Sequence, residues 1–245
     1  MKFTKMHGCG NDFLVVDGPV ALDADRVQQI CDRRRGVGAD GILVIGAPDG
    51  RRWPVTLHNA DGSLGESCGN GARCVARYLL DRNGGDSLDL RFAGGWVSAR
   101  REGDGIAITL RAPTTPVSLA IDGHRRAYRV NVGNPHVVVF VEEPSMVDLS
   151  LVAVAIRGVA GEANVEVARV VDPGLIALRV DERGVGETQA CGTGACATVA
   201  AAACEQRMDA AVRVRVPGGE LVVRAGPDTF ELSGPAEYAF EGDVG

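Results

Sequence analysis

The chain has 245 residues, 45% of them hydrophobic, and a formal charge of -6 at pH 7. That length and apolar content suffice for one large domain or two of about 120 residues. The acidic balance, with Arg clusters scattered at 33–35, 51–52, 100–101 and 125–126, offers no basic face and argues against nucleic acid or an acidic membrane as partner.

In chain order, Met1 to Thr4 runs directly into an alternating, strand-like pattern with no apolar export segment, so the chain is expected to begin folded. Short strands are predicted at 13–16, 41–45, 55–57, 87–92, 105–110, 128–132, 137–141, 166–171, 175–180, 211–216, 221–225 and 229–233. Gly, Pro and Asp punctuate them, and Glu102-Gly103-Asp104-Gly105 and Gly218-Gly219 have the composition of hairpin turns. Helices are predicted at 23–33, 71–80, 149–156 and 194–206, the second and fourth carrying small or apolar residues all round, as a helix enclosed by a curved sheet requires. Ala112-Pro113-Thr114-Thr115-Pro116 is the best linker. The most apolar stretches, 151–156 and 195–204, fall well short of the roughly 20 residues that cross a bilayer. A soluble, cytoplasmic protein is expected, its seven cysteines reduced.

Two segments repeat one pattern: Cys68-Gly69-Asn70-Gly71-Ala72 and Cys191-Gly192-Thr193-Gly194-Ala195. Asn11 precedes Cys68 by 57 residues and Asn134 precedes Cys191 by 57, an offset of 123 that also places Asn59 on Glu182. Such a constant offset points to an internal duplication. The expected fold is α/β (α+β): two pseudo-symmetric lobes, 1–113 and 114–233, each a curved, mainly antiparallel sheet or barrel wrapped on a central helix, with the active site in the cleft between them.

Each repeat places a thiol at a helix N-terminus. The first turn of a helix has N–H groups without partners and the positive end of the macrodipole, so it binds carboxylates and favours a thiolate. Lowered from about 8.5 toward neutrality, such a thiol is a usable base near pH 7. The glycines allow the backbone to approach a ligand closely. Two such ends aimed at one carbon are the geometry of a two-base racemase, one thiolate removing the α-proton and the opposite thiol returning one to the other face.

The segments Met6-His7-Gly8-Cys9-Gly10-Asn11-Asp12-Phe13, Asn59-Ala60-Asp61-Gly62-Ser63, Glu66-Ser67-Cys68-Gly69-Asn70-Gly71-Ala72-Arg73, Gly133-Asn134-Pro135-His136 and 182–195 together resemble the motif set of diaminopimelate epimerase, across the whole chain. The resemblance implies a cofactor-independent isomerase of LL- and meso-2,6-diaminopimelate, in lysine and peptidoglycan precursor biosynthesis. It also implies a homodimer and a tail, 234–245, that returns to the first lobe. By the same resemblance Cys68 and Cys191 are the catalytic pair, assisted by His136 and Glu182. Asn11, Asn59, Asn134, Asn164, Glu182 and Arg183 hold the substrate. Gly69, Asn70 and Gly71 with Gly192 and Thr193 cradle the reacting carboxylate, and Asn59, Asn164 and Arg183 fix the distal end.

The chain is shorter than most of that family, and Cys9, His58, Ser67 and Glu166 depart from its pattern. No metal site is expected, since no Cys-x-x-Cys occurs and the four histidines are far apart. Cys31, Cys74, Cys196 and Cys204 read as small buried hydrophobes. His7 and His58 read as structural, while for His136 a structural and a catalytic reading both stand. Two alternatives accompany the epimerase reading: a racemase of another amino acid such as histidine or glutamate, and a non-catalytic dithiol redox protein.

Overall fold

Runs of five to nine residues rich in Val, Ile and Leu, broken by Gly or Asp, form strands because branched side chains pack well on a pleated surface. The computed structural model describes residues 1–66, 68–121 and 124–245, except the side chains of His124 and Arg125. The chain divides into two units, Met1–Ile108 with Gly234–Gly245, and Thr109–Ser233.

The first unit contains β1 (Lys2–Gly8), β2 (Asn11–Asp17), α1 (Ala24–Cys31), β3 (Gly41–Ile45), β4 (Arg52–Asn59), β5 (Leu64–Gly65), α2 (Gly69–Asn83), β6 (Ser87–Phe92), β7 (Gly95–Glu102) and the start of β8 (Gly105–Arg111). The second contains β9 (Val117–Ile121), β10 (His124–Asn131), β11 (Pro135–Phe140), α3 (Leu149–Ala160), β12 (Asn164–Asp172), β13 (Leu175–Glu182), β14 (Gly186–Thr188), α4 (Gly192–Glu205), β15 (Val212–Val216), β16 (Gly219–Ala225) and β17 (Thr229–Gly234). The last strand, β18 (Glu237–Asp243), pairs with β1 in the first unit, just as β9 pairs with β10 in the second.

Both units repeat one topology. Pairing is antiparallel throughout each unit except for β2 with β3 and β4 with β6, matched in the second by β11 with β12 and β13 with β15. A parallel pair needs a long crossover, and α1, α2, α3 and α4 lie in those four connections. β4 and β13 span 52–59 and 175–182, the same offset of 123 found in the motifs.

The helices cover opposite faces of each sheet. α1 lies over Leu14, Val16, Ile42 and Val44, and α3 over Val137, Val139 and Val165. Because successive side chains on a strand point to opposite faces, the residues between these, Leu43 on β3 and Glu166 on β12, point toward the other helix: a Cβ added at Gly71 of α2 would meet Leu43, and one at Gly194 of α4 would meet Glu166. Strands covered on both sides read as continuous apolar runs, which is why β3 is buried at every position. α2 packs on β1, β2, β3, β6 and β7, and α4 on β10, β11, β12, β13 and β16. Each long helix is thus contacted by strands along most of its sheet.

The expected helix starts move. α2 and α4 begin at Gly69 and Gly192, two residues before the sequence expectation, because Cys68 and Cys191 are themselves the N-caps. Two further differences are small: the hairpin between β15 and β16 turns on Pro217-Gly218 rather than Gly218-Gly219, and Cys204 is exposed rather than buried. The linker segment is anchored within the second unit, where Ala112 N–H donates to Asp228 and Thr114 N–H to Asn131.

Candidate active site

In the first unit, Cys68 caps α2, its Sγ accepting the Gly71 N–H at 3.4 Å and donating to Asn11 Oδ1 at 3.8 Å. Asn11 opens β2 directly after a tight turn at Cys9 and Gly10, both with positive φ (53° and 81°). A chain of side-chain bonds sets its amide. Arg73, fully buried, donates to Asn70 Oδ1 at 3.0 Å, Asn70 donates to Asn11 Oδ1 at 3.0 Å, and Asn11 Nδ2 donates to Asp40 Oδ2 at 2.6 Å. Arg is a donor only and a carboxylate an acceptor only, so both ends of this chain dictate that Asn11 turns its oxygen toward Cys68. Asn59 ends β4 in a separate turn, with bonds to Ser63.

Behind Asn11, Asp12 receives Lys5 at 2.9 Å and Arg33 at 2.6 Å, and Arg33 also reaches Asp40. Burial by itself would raise the Asp12 carboxyl, yet the hydrogen bonds and charges of Arg33 and Lys5 outweigh it and hold it at about 2 against an ordinary 3.8. A carboxyl depressed in the folded state stabilises above its unfolded pKa, and that stability is lost as pH falls through the folded value. Asp12→Asn is therefore expected to cost about 2.5 kcal/mol at pH 7. The deficit should vanish between about pH 4 and pH 2, as read by urea unfolding at each pH.

In the second unit, Cys191 caps α4, accepting the Gly194 N–H at 3.4 Å, with Thr193 Oγ1 also at 3.4 Å. The expected lowering of its pKa is overturned. Burial first, then the charges of Glu182 and Glu166, push the Cys191 thiol well above its ordinary value, and the bonds from Thr193 and Gly194 only partly offset them. At 6% exposure, desolvation of a thiolate outweighs the helix N-terminus, so the surroundings of Cys191 favour its thiol form. Glu182 accepts Thr188 Oγ1 at 2.6 Å. Asn164 Oδ1 accepts the Arg183 backbone N–H at 2.9 Å, and the Arg183 side chain is exposed.

His136 is fully buried, with Nδ1 2.6 Å from Glu166 Oε1 and Nε2 3.0 Å from Asn134 Oδ1. Both ring nitrogens are thereby occupied, which favours the structural reading of this residue. The structure thus gathers Asn11, Cys68 and Asn70 in one unit and Asn134 with His136 in the other. It adds Asp40, Arg73 and Glu166 as partners to which the sequence reading gave no role. Of the departures, Cys9 is buried, His58 is half-buried and lowered by burial, and Ser67 lies outside the described residues.

The family model for diaminopimelate epimerase matches residues 3–115 and 128–238. The chain belongs to the diaminopimelate epimerase family. It is an isomerase. The diaminopimelate epimerase of Xanthomonas axonopodis pv. citri (strain 306) is 39% identical over 99% of this chain and 96% of its own length. That of Synechococcus sp. (strain JA-2-3B'a(2-13)) is 36% identical over 99% and 97%. Solved structures share the fold at lower identity. A phenazine biosynthesis protein of the PhzF family from Bacillus anthracis superposes with a TM-score of 0.75 at 16% identity, over 100% of this chain and 98% of that one. A hydroxyproline epimerase from Agrobacterium vitis does so with 0.69 at 17%, over 100% and 90%. Among the described residues the epimerase has no helix long and apolar enough to cross a membrane.

Proposed function

We propose that this enzyme interconverts LL- and meso-2,6-diaminopimelate by a two-base mechanism, with Cys68 and Cys191 acting on one substrate. The observation that carries this is the duplicated cap: each thiol accepts an N–H from the first turn of its own helix at the same 3.4 Å. In each unit the first-turn N–H groups, around Gly69, Asn70 and Gly71 or Gly192 and Thr193, are suited to hold the reacting carboxylate and to stabilise the charge that grows on it as the α-proton leaves. One sulfur, as thiolate, takes the proton. The other, as thiol, returns one to the opposite face, and Cys191, whose thiol burial pushes well above its ordinary value, is suited to that donor role. No cofactor is required in this scheme.

Asn11 Oδ1, facing the thiol side, suits an acceptor role toward the α-ammonium, and Asn134 suits the carboxylate. Asn59, Asn164 and Arg183 are assigned to the distal amino-acid end, and Glu182 and His136 to support of Cys191 and Asn134. Full-length likeness to relatives named for diaminopimelate supports this substrate over histidine or glutamate. We place the enzyme in the cytoplasm, as a homodimer, in lysine and peptidoglycan precursor synthesis. Incubating reduced protein with LL-diaminopimelate in D2O and separating the stereoisomers is the direct test. Appearance of meso product with deuterium at one α-carbon is expected, and no product from fresh, reduced protein would refute the assignment.

Shared use of one carbon has a redox consequence. A mild oxidant without substrate should join Cys68 to Cys191 and abolish activity, and dithiothreitol should restore it. Peptide mass spectrometry that never finds this pair, under conditions that inactivate, would count against the two thiols serving one substrate.

A further inference from the structure

The duplication breaks beneath the helices at a buried polar pair. Offset by 123, His136 and Glu166 stand where the first unit has Phe13 and Leu43. All four lie on matched strands, and Leu43 and Glu166 both lie under the second glycine of the Cys-Gly-x-Gly segment. There a Cβ on Gly71 would come 3.1 Å from Leu43 Cδ1, and one on Gly194 would come 2.6 Å from Glu166 Oε1. A buried acid and a buried imidazole have therefore replaced two hydrophobes, and the glycine at 194 is what makes room for the carboxyl.

Such a replacement is destabilising unless the polar groups satisfy one another. Glu166 and His136 are both completely buried, 2.6 Å apart. Glu166 Oε2 is buried without a hydrogen-bond partner. Glu182 and Glu166 both act on Cys191 and raise its thiol, and Glu182 accepts the Thr188 hydroxyl at 2.6 Å. A net negative charge on the pair would be buried with Glu166 Oε2 left unsatisfied. Nδ1 faces Glu166 Oε1 and Nε2 faces Asn134 Oδ1, and the arrangement that makes both contacts hydrogen bonds without a net buried charge has one proton between Oε1 and Nδ1 and a second on Nε2.

A proton on Nε2 can only be donated, and its neighbour at 3.0 Å is Asn134. Asn134 must then present its oxygen to His136 and keep its Nδ2 hydrogens for a ligand. We propose that Glu166 is a positioning residue that, through His136, locks Asn134 as a hydrogen-bond donor to the substrate carboxylate. The duplicated asparagines Asn11 and Asn134 thereby present opposite ends. Asn11 is pinned by Asp40 at its nitrogen and shows its oxygen, while Asn134 is pinned at its oxygen and shows its nitrogen. Matched positions read unlike groups, which a substrate centre bearing one ammonium and one carboxylate demands. This rests on the assignment of Asn134 to the substrate made above.

The test uses Glu166→Leu, which copies the first unit, and Glu166→Gln, whose amide can donate to Nδ1 and so keep the proton on Nε2. For Glu166→Leu the KM for diaminopimelate should rise about tenfold, the size of one lost hydrogen bond, with a smaller change in kcat. Glu166→Gln should stay within about threefold of wild-type KM, less than the loss of such a bond. In parallel, 15N NMR of the substrate-free wild type at neutral pH should show His136 Nε2 protonated. If Glu166→Leu binds substrate like wild type, or if wild-type Nε2 is unprotonated, the proposal is wrong. The spectrum stands even if the leucine variant does not fold, and being substrate-free it reads the pair separately from the two-thiol assignment, which the cysteine variants test.

Discussion

Cys68→Ala and Cys191→Ala are each expected to abolish net epimerisation of diaminopimelate, by at least about a thousandfold in kcat. On the proposed mechanism each sulfur serves one face of the α-carbon, so neither can substitute for the other, and water is a far poorer base than a positioned thiolate. Stability should change little. The lost cap is one weak N–H to sulfur bond at 3.4 Å, against about 1 kcal/mol for a good oxygen cap. Cys31→Ala and Cys204→Ala serve as controls. Cys31 is buried at the end of α1, with its thiol raised by burial to about 11, and Cys204 is exposed, so neither replacement should affect turnover. Chiral chromatography of product and a thermal melt decide the matter: either catalytic variant turning over at the wild-type rate removes the two-thiol mechanism.

Arg183→Ala is expected to lose most of kcat/KM on diaminopimelate. An Arg meets a second carboxylate with a planar pair of donors that Lys cannot imitate. Leaving that carboxylate unpaired should cost on the order of 2 to 5 kcal/mol, roughly 30- to 5000-fold. The exposed side chain at the turn between β13 and β14 has little to do with folding, and its backbone N–H bond to Asn164 survives the substitution. The melting temperature should therefore hold while activity falls, and Arg183→Lys should recover only part. No gain on amino acids with a single carboxylate should appear. Wild-type activity in Arg183→Ala, or faster turnover of histidine than of diaminopimelate by the wild type, would remove the substrate assignment and leave the thiol chemistry standing.

Elements whose residues carry their own signal were legible. β3 and β6 run from 41 to 45 and from 87 to 92 as read from their apolar patterns. β7, β9 and β18 were not foreseen. β18 is exposed along most of its length and β9 is largely exposed, so neither has a buried face to imprint alternation. In β7 the alternation exists, but Trp96, Ser98 and Arg100 fill its outer face and hide it. α3 continues past Gly158 to Ala160, because Ala153 and Ile156 pack it against the strands below and outweigh the cost of one helical glycine.

For the candidate site the division runs along the same line. Sequence by itself determined the duplication, the family and the paired cysteines at the helix starts, because an exact spacing of 57 residues and a glycine pattern are properties of the chain alone. It did not determine the state of Cys191. A helix N-terminus predicts an acidic thiol, but burial and the carboxyls of Glu182 and Glu166 reverse the sign, and those groups come from other strands. Nor did it determine which way the matched asparagines turn. That depends on Asp40 reaching Asn11 and on His136, backed by Glu166, reaching Asn134. Charge, desolvation and hydrogen-bond direction are set by neighbours distant in the chain, and only the tertiary structure assembles them.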